Sequence, residues 1–217
     1  MSIFLGFDPG GKRKFGWAVC SSSSDIFKVL ESGIADHAED AVNQALSKVQ
    51  DNTKVLGAGI DAPLFWVENG SRKADDSVRE AIQRLGSPTP SGTVQQVNSL
   101  KGACLVQGVL TANLLNQKIK NITITESHPK ALLYMLGIAN AKTGPNDVHI
   151  GDMIKFIKFE KRDVTEHERD AALGAYSSWQ ACQNNINWNN LYEEEPNPIT
   201  PFNYTVSYWL PIKNVQR

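Results

Sequence analysis

With 217 residues, 41% hydrophobic content and no repeat or low-complexity tract, the chain is long enough for one large packed core. Its formal net charge of −1 excludes a global basic field for indiscriminate nucleic-acid binding. Cys20, Cys104 and Cys182 are too widely spaced for a structural zinc site or a disulfide framework. No run of about eighteen apolar residues and no export signal occurs, so a cytoplasmic protein without membrane association is expected, with a homodimer admissible.

In chain order, Ile3–Phe7 and Phe15–Cys20 read as paired strands joined through Asp8, Pro9, Gly10 and Gly11. This connection places the Asp8 carboxylate at the mouth of a hairpin. Asp25–Gly33 is a third strand, and Glu39–Gln50 has helix-spaced Ala41, Val42, Ala45, Leu46 and Val49. Lys54–Ile60 is a short buried strand that stops at Asp61-Ala62-Pro63. Ser71–Leu85 and Leu100–Lys118 are helical, forming a helical insertion over about 71–119. Asn121–Thr125 is a strand ending at Glu126-Ser127-His128-Pro129, and Lys130–Leu136 resumes a helix. The last helix starts at Thr165, where Thr165 and Glu168 fit a capping box, and the segment 184–217 covers the fold. Together these elements predict one α/β domain over 1–217.

Asp8, Asp61 and Glu126 share the carboxyl ends of strands, where open α/β sheets bind ligands. Asp170 lies on one helical face with Glu166 and His167 and can turn toward them. Four clustered carboxylates need divalent cations to coexist, and hard oxygen donors select Mg²⁺ or Mn²⁺. Two such ions can activate water and stabilise the leaving oxygen of a phosphodiester.

The stretch from Phe7 through Asp8-Pro9-Gly10-Gly11-Lys12-Arg13-Lys14 to Val19 resembles the first hairpin of the ribonuclease H-like superfamily, as in Holliday-junction resolvases. Ile60–Leu64, Arg72–Asp75 with Arg79, Glu126–Pro129, His167–Ala171 and Tyr208–Pro211, in that order, resemble the domain of unknown function 429 family. That resemblance implies a mixed central sheet with its first three strands antiparallel, helices on both faces, and a metal-dependent nuclease acting on DNA or RNA. By analogy it places metal ligands at Asp8, Asp61, Glu126 and Asp170. Resolvase-like enzymes carry paired acids in the final helix, and here Glu166 or Glu168 must supplement Asp170.

Arg72, Asp75 and Arg79 at i, i+3 and i+7 describe either a solvated ion-pair face or two guanidinium forks presented to phosphate; the resemblance assigns them to the site. Lys12-Arg13-Lys14 and the stripe Lys155, Lys158, Lys161 and Arg162 are further phosphate-contact candidates, with Phe156 and Phe159 explained by core packing. His167 is either a proton shuttle or a local hydrogen-bonding residue, and His128, also a substrate-contact candidate, favours the local role. Two rival functions stand beside the nuclease: a non-catalytic nucleic-acid- or protein-binding protein of the same fold, and an actin-like ATP-binding module. The second normally needs two related domains, and no second Asp-Gly phosphate loop is found.

Overall fold

The computed structural model describes residues 2–10, 12–23, 26–50, 53–65, 72–95, 102–160, 163–198 and 200–211; Gly11, Lys161 and Arg162 therefore lie outside the described residues. Strands β1 (Ser2–Asp8), β2 (Phe15–Ser23) and β3 (Ile26–Ala35) form an antiparallel meander. β4 (Val55–Ile60) pairs in parallel with β1, and β5 (Thr123–Glu126) in parallel with β4. With the two-residue strands β6 (Lys158–Phe159) and β7 (Asn189–Asn190) and with β8 (Val206–Leu210), they make a mixed eight-stranded sheet in the order β6-β3-β2-β1-β4-β5-β8-β7.

The strands read as apolar runs because both faces are covered. Along β1, Ile3, Leu5 and Phe7 face helices α1 (Ala38–Ser47) and α4 (Gly102–Lys118), joining Ala41, Val42, Ala112 and Leu115. Phe4 takes the opposite side with Ala18 and Phe27, against α2 (Lys73–Arg84), α5 (Pro129–Met135) and α6 (Glu166–Cys182). A four-residue helix, α3 (Pro90–Thr93), lies between α2 and α4. No helix among the described residues is long and apolar enough to cross a membrane.

Several expectations change in detail. Among the described residues of the β1–β2 turn the left-handed one is Arg13, with φ 61°, and not Gly10. Gly10 is needed for a different reason: a Cβ there would lie 2.0 Å from the Lys14 carbonyl oxygen. The segment expected only to cover the fold also supplies β8, inside the sheet beside β5. Lys158 belongs to the edge strand β6, and Phe156 and Phe159 pack on the core.

What positions α6 is the absence of side chains beneath it. A Cβ at Gly6 would lie 1.6 Å from the Ala171 carbonyl oxygen, one at Gly59 1.8 Å from that of Gly174, and one at Gly16 2.2 Å from that of His167. Glycines on three adjacent strands thus form a groove in which helix backbone meets sheet backbone. Gly6→Ala or Gly59→Ala is expected to cost more than about 3 kcal/mol in urea denaturation, because backbone on both sides must move. Gly151→Ala, whose Cβ would meet nothing within 4 Å, should change stability by less than about 0.5 kcal/mol.

Candidate functional site

The parallel strands β1, β4 and β5 end together. Phe7 pairs with Ile60 and Ile60 with Glu126, while Asp61 N donates to the Phe7 carbonyl at 2.9 Å and Ser127 N to that of Ile60 at 2.8 Å. Asp8, Asp61 and the stretch Glu126–His128 therefore leave the sheet side by side. A cavity of about 190 Å³ opens there, lined by Asp8, Asp61, His128 and Lys130, with Thr93, Gln95 and Cys104 opposite. The groove under α6 brings His167 over β2, and its Nδ1 lies 2.5 Å from Asp8 Oδ2.

Burial pushes the Asp61 carboxyl well above its ordinary range, and the charges of Asp8 and Asp170 push it further, against Lys130. Asp170 is pushed up to about 6 by burial and by Asp8, although Arg169 Nε donates to its Oδ1 at 2.9 Å. The hydrogen bond to Asp8 raises His167 against the opposing effect of its burial. Cys104 is pushed up to about 12 by burial, then by Asp61, which holds its thiol in the protonated form.

Glu126 has a different environment. Arg72, 2% exposed, places each of its five N–H donors on an acceptor: Asp75 through Nε at 2.8 Å and Nη2 at 2.6 Å, Glu126 through Nη1 at 2.9 Å and Nη2 at 2.7 Å, and the Phe65 carbonyl through Nη1 at 3.3 Å. Glu126 Oε2 also accepts from Leu64 N at 3.0 Å. Burial alone would raise the Glu126 carboxyl, but Arg72 and His128 hold it at about 2. The guanidinium also lies over the Phe65 ring, 4.5 Å from its centroid.

The expected residues therefore fall into separate groups. Asp8 and Asp61 share the cleft, Asp170 adds its charge, and His167 bonds Asp8. Glu126 is tied to Arg72, so the four acids do not form one equivalent set. Arg72 and Asp75 form a buried ion cluster and present no fork to solvent, because Arg72 precedes α2 as its N-cap and turns inward. Arg79 pairs with Asp76 and donates to the Val94 carbonyl at 3.1 Å. Lys12 is exposed in the β1–β2 turn. Glu168 does close the capping box, its Oε2 accepting from Thr165 N at 2.9 Å and its Oε1 from Ser32 Oγ at 2.9 Å.

Among the described residues, the one group of three His, Cys, Asp or Glu side chains with ligand atoms all within 4.8 Å is Asp75, Glu126 and His128. His128 Nε2 is 3.5 Å from Glu126 Oε1 and 4.0 Å from Asp75 Oδ1. Arg72 Nη2 already donates to those same two carboxylate oxygens, so a cation there would face a fixed positive charge.

The residue sequence reasoning missed is Lys130, the cation lining the acidic cleft, whose Nζ is 2.8 Å from Glu166 Oε1. Its signal was a lysine in the first turn of a helix, where the backbone dipole disfavours a positive charge. Arg169 was missed too, and so was Glu195, whose Oε1 accepts from Ala74 N at 2.9 Å and caps α2 from far along the chain.

Arg72→Met is expected to lower stability by about 3 to 5 kcal/mol in chemical denaturation, because two buried carboxylates lose their counter-charge. Folding takes up a proton at Asp170 between pH 3.8 and about 6, so this residue's contribution to stability declines as pH rises through that window. In chelator, Asp170→Asn should flatten that decline, read as a smaller fall in urea midpoint between about pH 4 and pH 7 than wild type shows.

Comparison of the chain with family models, curated proteins and solved structures finds no match in any of the three. The functional reading therefore rests on the chemistry of the cleft and its surroundings.

Proposed function

We propose that this chain is a nucleic-acid phosphodiesterase of the ribonuclease H-like class, working with Mg²⁺ or Mn²⁺ held by Asp8, Asp61 and Asp170. The observation that carries the reading is the mutual electrostatic influence of three aspartates from three elements, Asp8 and Asp61 lining one cleft at adjacent parallel strand ends and Asp170 on the helix laid across them, although their ligand atoms are not all within 4.8 Å of one another. The antiparallel β1-β2-β3 meander, extended in parallel by β4 and β5, accords with the family resemblance of the hairpin motif.

The donor set suits such an ion. It is made of carboxylate oxygens without thiolate, and the carboxylate repulsion that adds to burial in raising Asp61 and Asp170 is what a divalent cation would relieve. When bound, the ion supplies a Lewis acid for the phosphate and an acidified water. Because Glu126 is committed to Arg72, a second ion would draw its remaining ligands from substrate phosphate oxygens, a common arrangement for Mg²⁺.

The chain's own groups have separable tasks. His167 fixes the Asp8 carboxylate through Oδ2. Lys130 offers a cation to an incoming phosphate from the wall of the cleft. The Arg72 cluster braces the segment Leu64–Phe65 against β5, and with it the preceding Ala62 and Pro63 that line the cleft. His128, between that cluster and the cleft, is placed to contact a substrate oxygen.

The test incubates wild type and Asp8→Asn with labelled single-stranded, duplex and branched DNA and RNA, in Mg²⁺, Mn²⁺ and chelator. Cleavage that needs the metal and falls roughly 100-fold or more in Asp8→Asn is expected, a loss of several kcal/mol of transition-state stabilisation. Binding without cleavage on every substrate would replace the enzyme reading with a binding protein.

A further inference from the structure

The turn that joins β1 to β2 carries Lys12, Arg13 and Lys14, and all three are exposed. It leaves the sheet directly after Asp8, whose register partner is Gly16, so the three cations stand at the same end of the sheet as the acidic cleft. A Cβ at Gly10 would lie 2.0 Å from the Lys14 carbonyl oxygen, so the two limbs of the turn rest against each other and hold it closed.

Other cations at this end are engaged within the chain. Lys130 is paired with Glu166, Arg72 with Asp75 and Glu126, and Arg169 with Asp170. Among the described residues, Lys12, Arg13 and Lys14 make no ion pair. Asp36, Glu39 and Asp40 follow β3 at this same end, yet Asp40 Oδ2 accepts from Asp36 N at 3.3 Å and not from the turn. Arg13 supplies an independent observation: its φ of 61° lies in the left-handed region, where glycine is free of strain and a side chain is not. The fold gains neither an ion pair nor a hydrogen bond among the described residues from that guanidinium, although the position disfavours it.

We infer that the β1–β2 turn is a backbone clamp for a nucleic-acid strand, its three cations holding phosphates that flank the one in the cleft. The inference rests on the proposed phosphodiesterase reading and deepens it: the substrate is a strand several nucleotides long, gripped through its backbone, and not a mononucleotide ester or a dinucleotide. Charge requires such a division. Asp8, Asp61 and Asp170 repel the phosphates on either side of the scissile one, and Lys130 is shared with Glu166. A net charge of −1 supplies no general attraction for a polyanion, so it must come from a local run. Exposed cations without carboxylate partners can displace the counterions of such a strand. Contacts to phosphate fix register and carry no sequence information, so the turn selects strand length and not base identity.

The test titrates fluorescent thymidylate and uridylate octamers, and the corresponding dimers, into the full Asp8→Asn chain in Mg²⁺ between about 50 and 200 mM salt. At least one octamer should bind about tenfold or more tighter than its dimer at the lowest salt. Lys12→Gln, Arg13→Gly and Lys14→Gln combined should weaken that octamer about tenfold or more, and flatten the plot of log affinity against log salt by about 2, near 0.7 for each lost phosphate contact. Lys54→Gln, Lys118→Gln and Lys120→Gln combined remove the same charge near the amino ends of β4 and β5, and should leave octamer binding within about twofold. Arg13→Gly alone should hold or raise the urea midpoint while weakening the octamer about threefold.

An unchanged salt slope in the turn variant, or an equal loss in the variant at the opposite strand ends, overturns the inference. So does an octaglutamate peptide that competes for the turn as well as the unlabelled octamer does, which would make it a surface for acidic polypeptides. A urea midpoint that falls in Arg13→Gly makes Arg13 a structural residue and overturns its part in the clamp. Failure of every oligonucleotide to bind at the lowest salt overturns the clamp together with the nucleic-acid reading. A turn-dependent slope in a chain whose wild type cleaves nothing supports the clamp and removes only the nuclease. Cleavage by wild type with a turn-independent slope keeps the nuclease and removes only the clamp.

Discussion

The approach of helix α6 to the sheet is the constraint on which the rest of the molecule depends. Helices ordinarily rest on sheets through interleaved side chains, but Gly6, Gly16 and Gly59 remove that cushion and allow main chain to meet main chain. The positions of His167 and Asp170 are consequently set by backbone, which has fewer ways to adjust than a rotamer. Asp8 is placed by β1 and Asp61 by β4, and these two strands are hydrogen-bonded neighbours. The three aspartates are thus each placed by backbone, of a strand or of the helix laid against it.

Acidic residues are treated in two opposite ways within a short distance. Around Arg72, two carboxylates and a guanidinium are desolvated together with every guanidinium donor satisfied, an arrangement that is closed to ligands. At the cleft, the carboxylates face one another with Lys130 as a partial counter-charge that Glu166 already shares. The first arrangement serves rigidity and the second leaves a repulsion that a bound proton or a cation relieves. Glu126 shows that an address at the strand ends does not decide which of these fates an acid takes.

Local signals made much of this legible in the chain. The apolar runs of β1, β2 and β4, the capping box at Thr165 and Glu168 and the proline opening α5 each rest on neighbours within a few residues. What stayed hidden depends on partners far apart. β8 pairs with β5 across some eighty positions, Arg72 finds Glu126 rather than a solvated helix face, and Glu195 caps α2 from the far end of the chain. The spacing of Arg72, Asp75 and Arg79 suggested one presented face, but Arg72 precedes the helix as its N-cap and follows a different geometry. Periodicity describes a residue's place on an element and says nothing of which distant side chain completes its shell.

The late strand β8 has a consequence for synthesis. Until Val206–Leu210 has left the ribosome, β5 is an open edge, and the acidic strand ends it adjoins have one flank without a neighbour. The elements that build the cleft are complete much earlier, with α6 finished by Cys182. Every element that lines the cleft is therefore synthesised before β8, by the time needed to make roughly thirty further residues, on the order of seconds. During that interval β5 can pair with any extended segment nearby, including the same strand of another nascent copy.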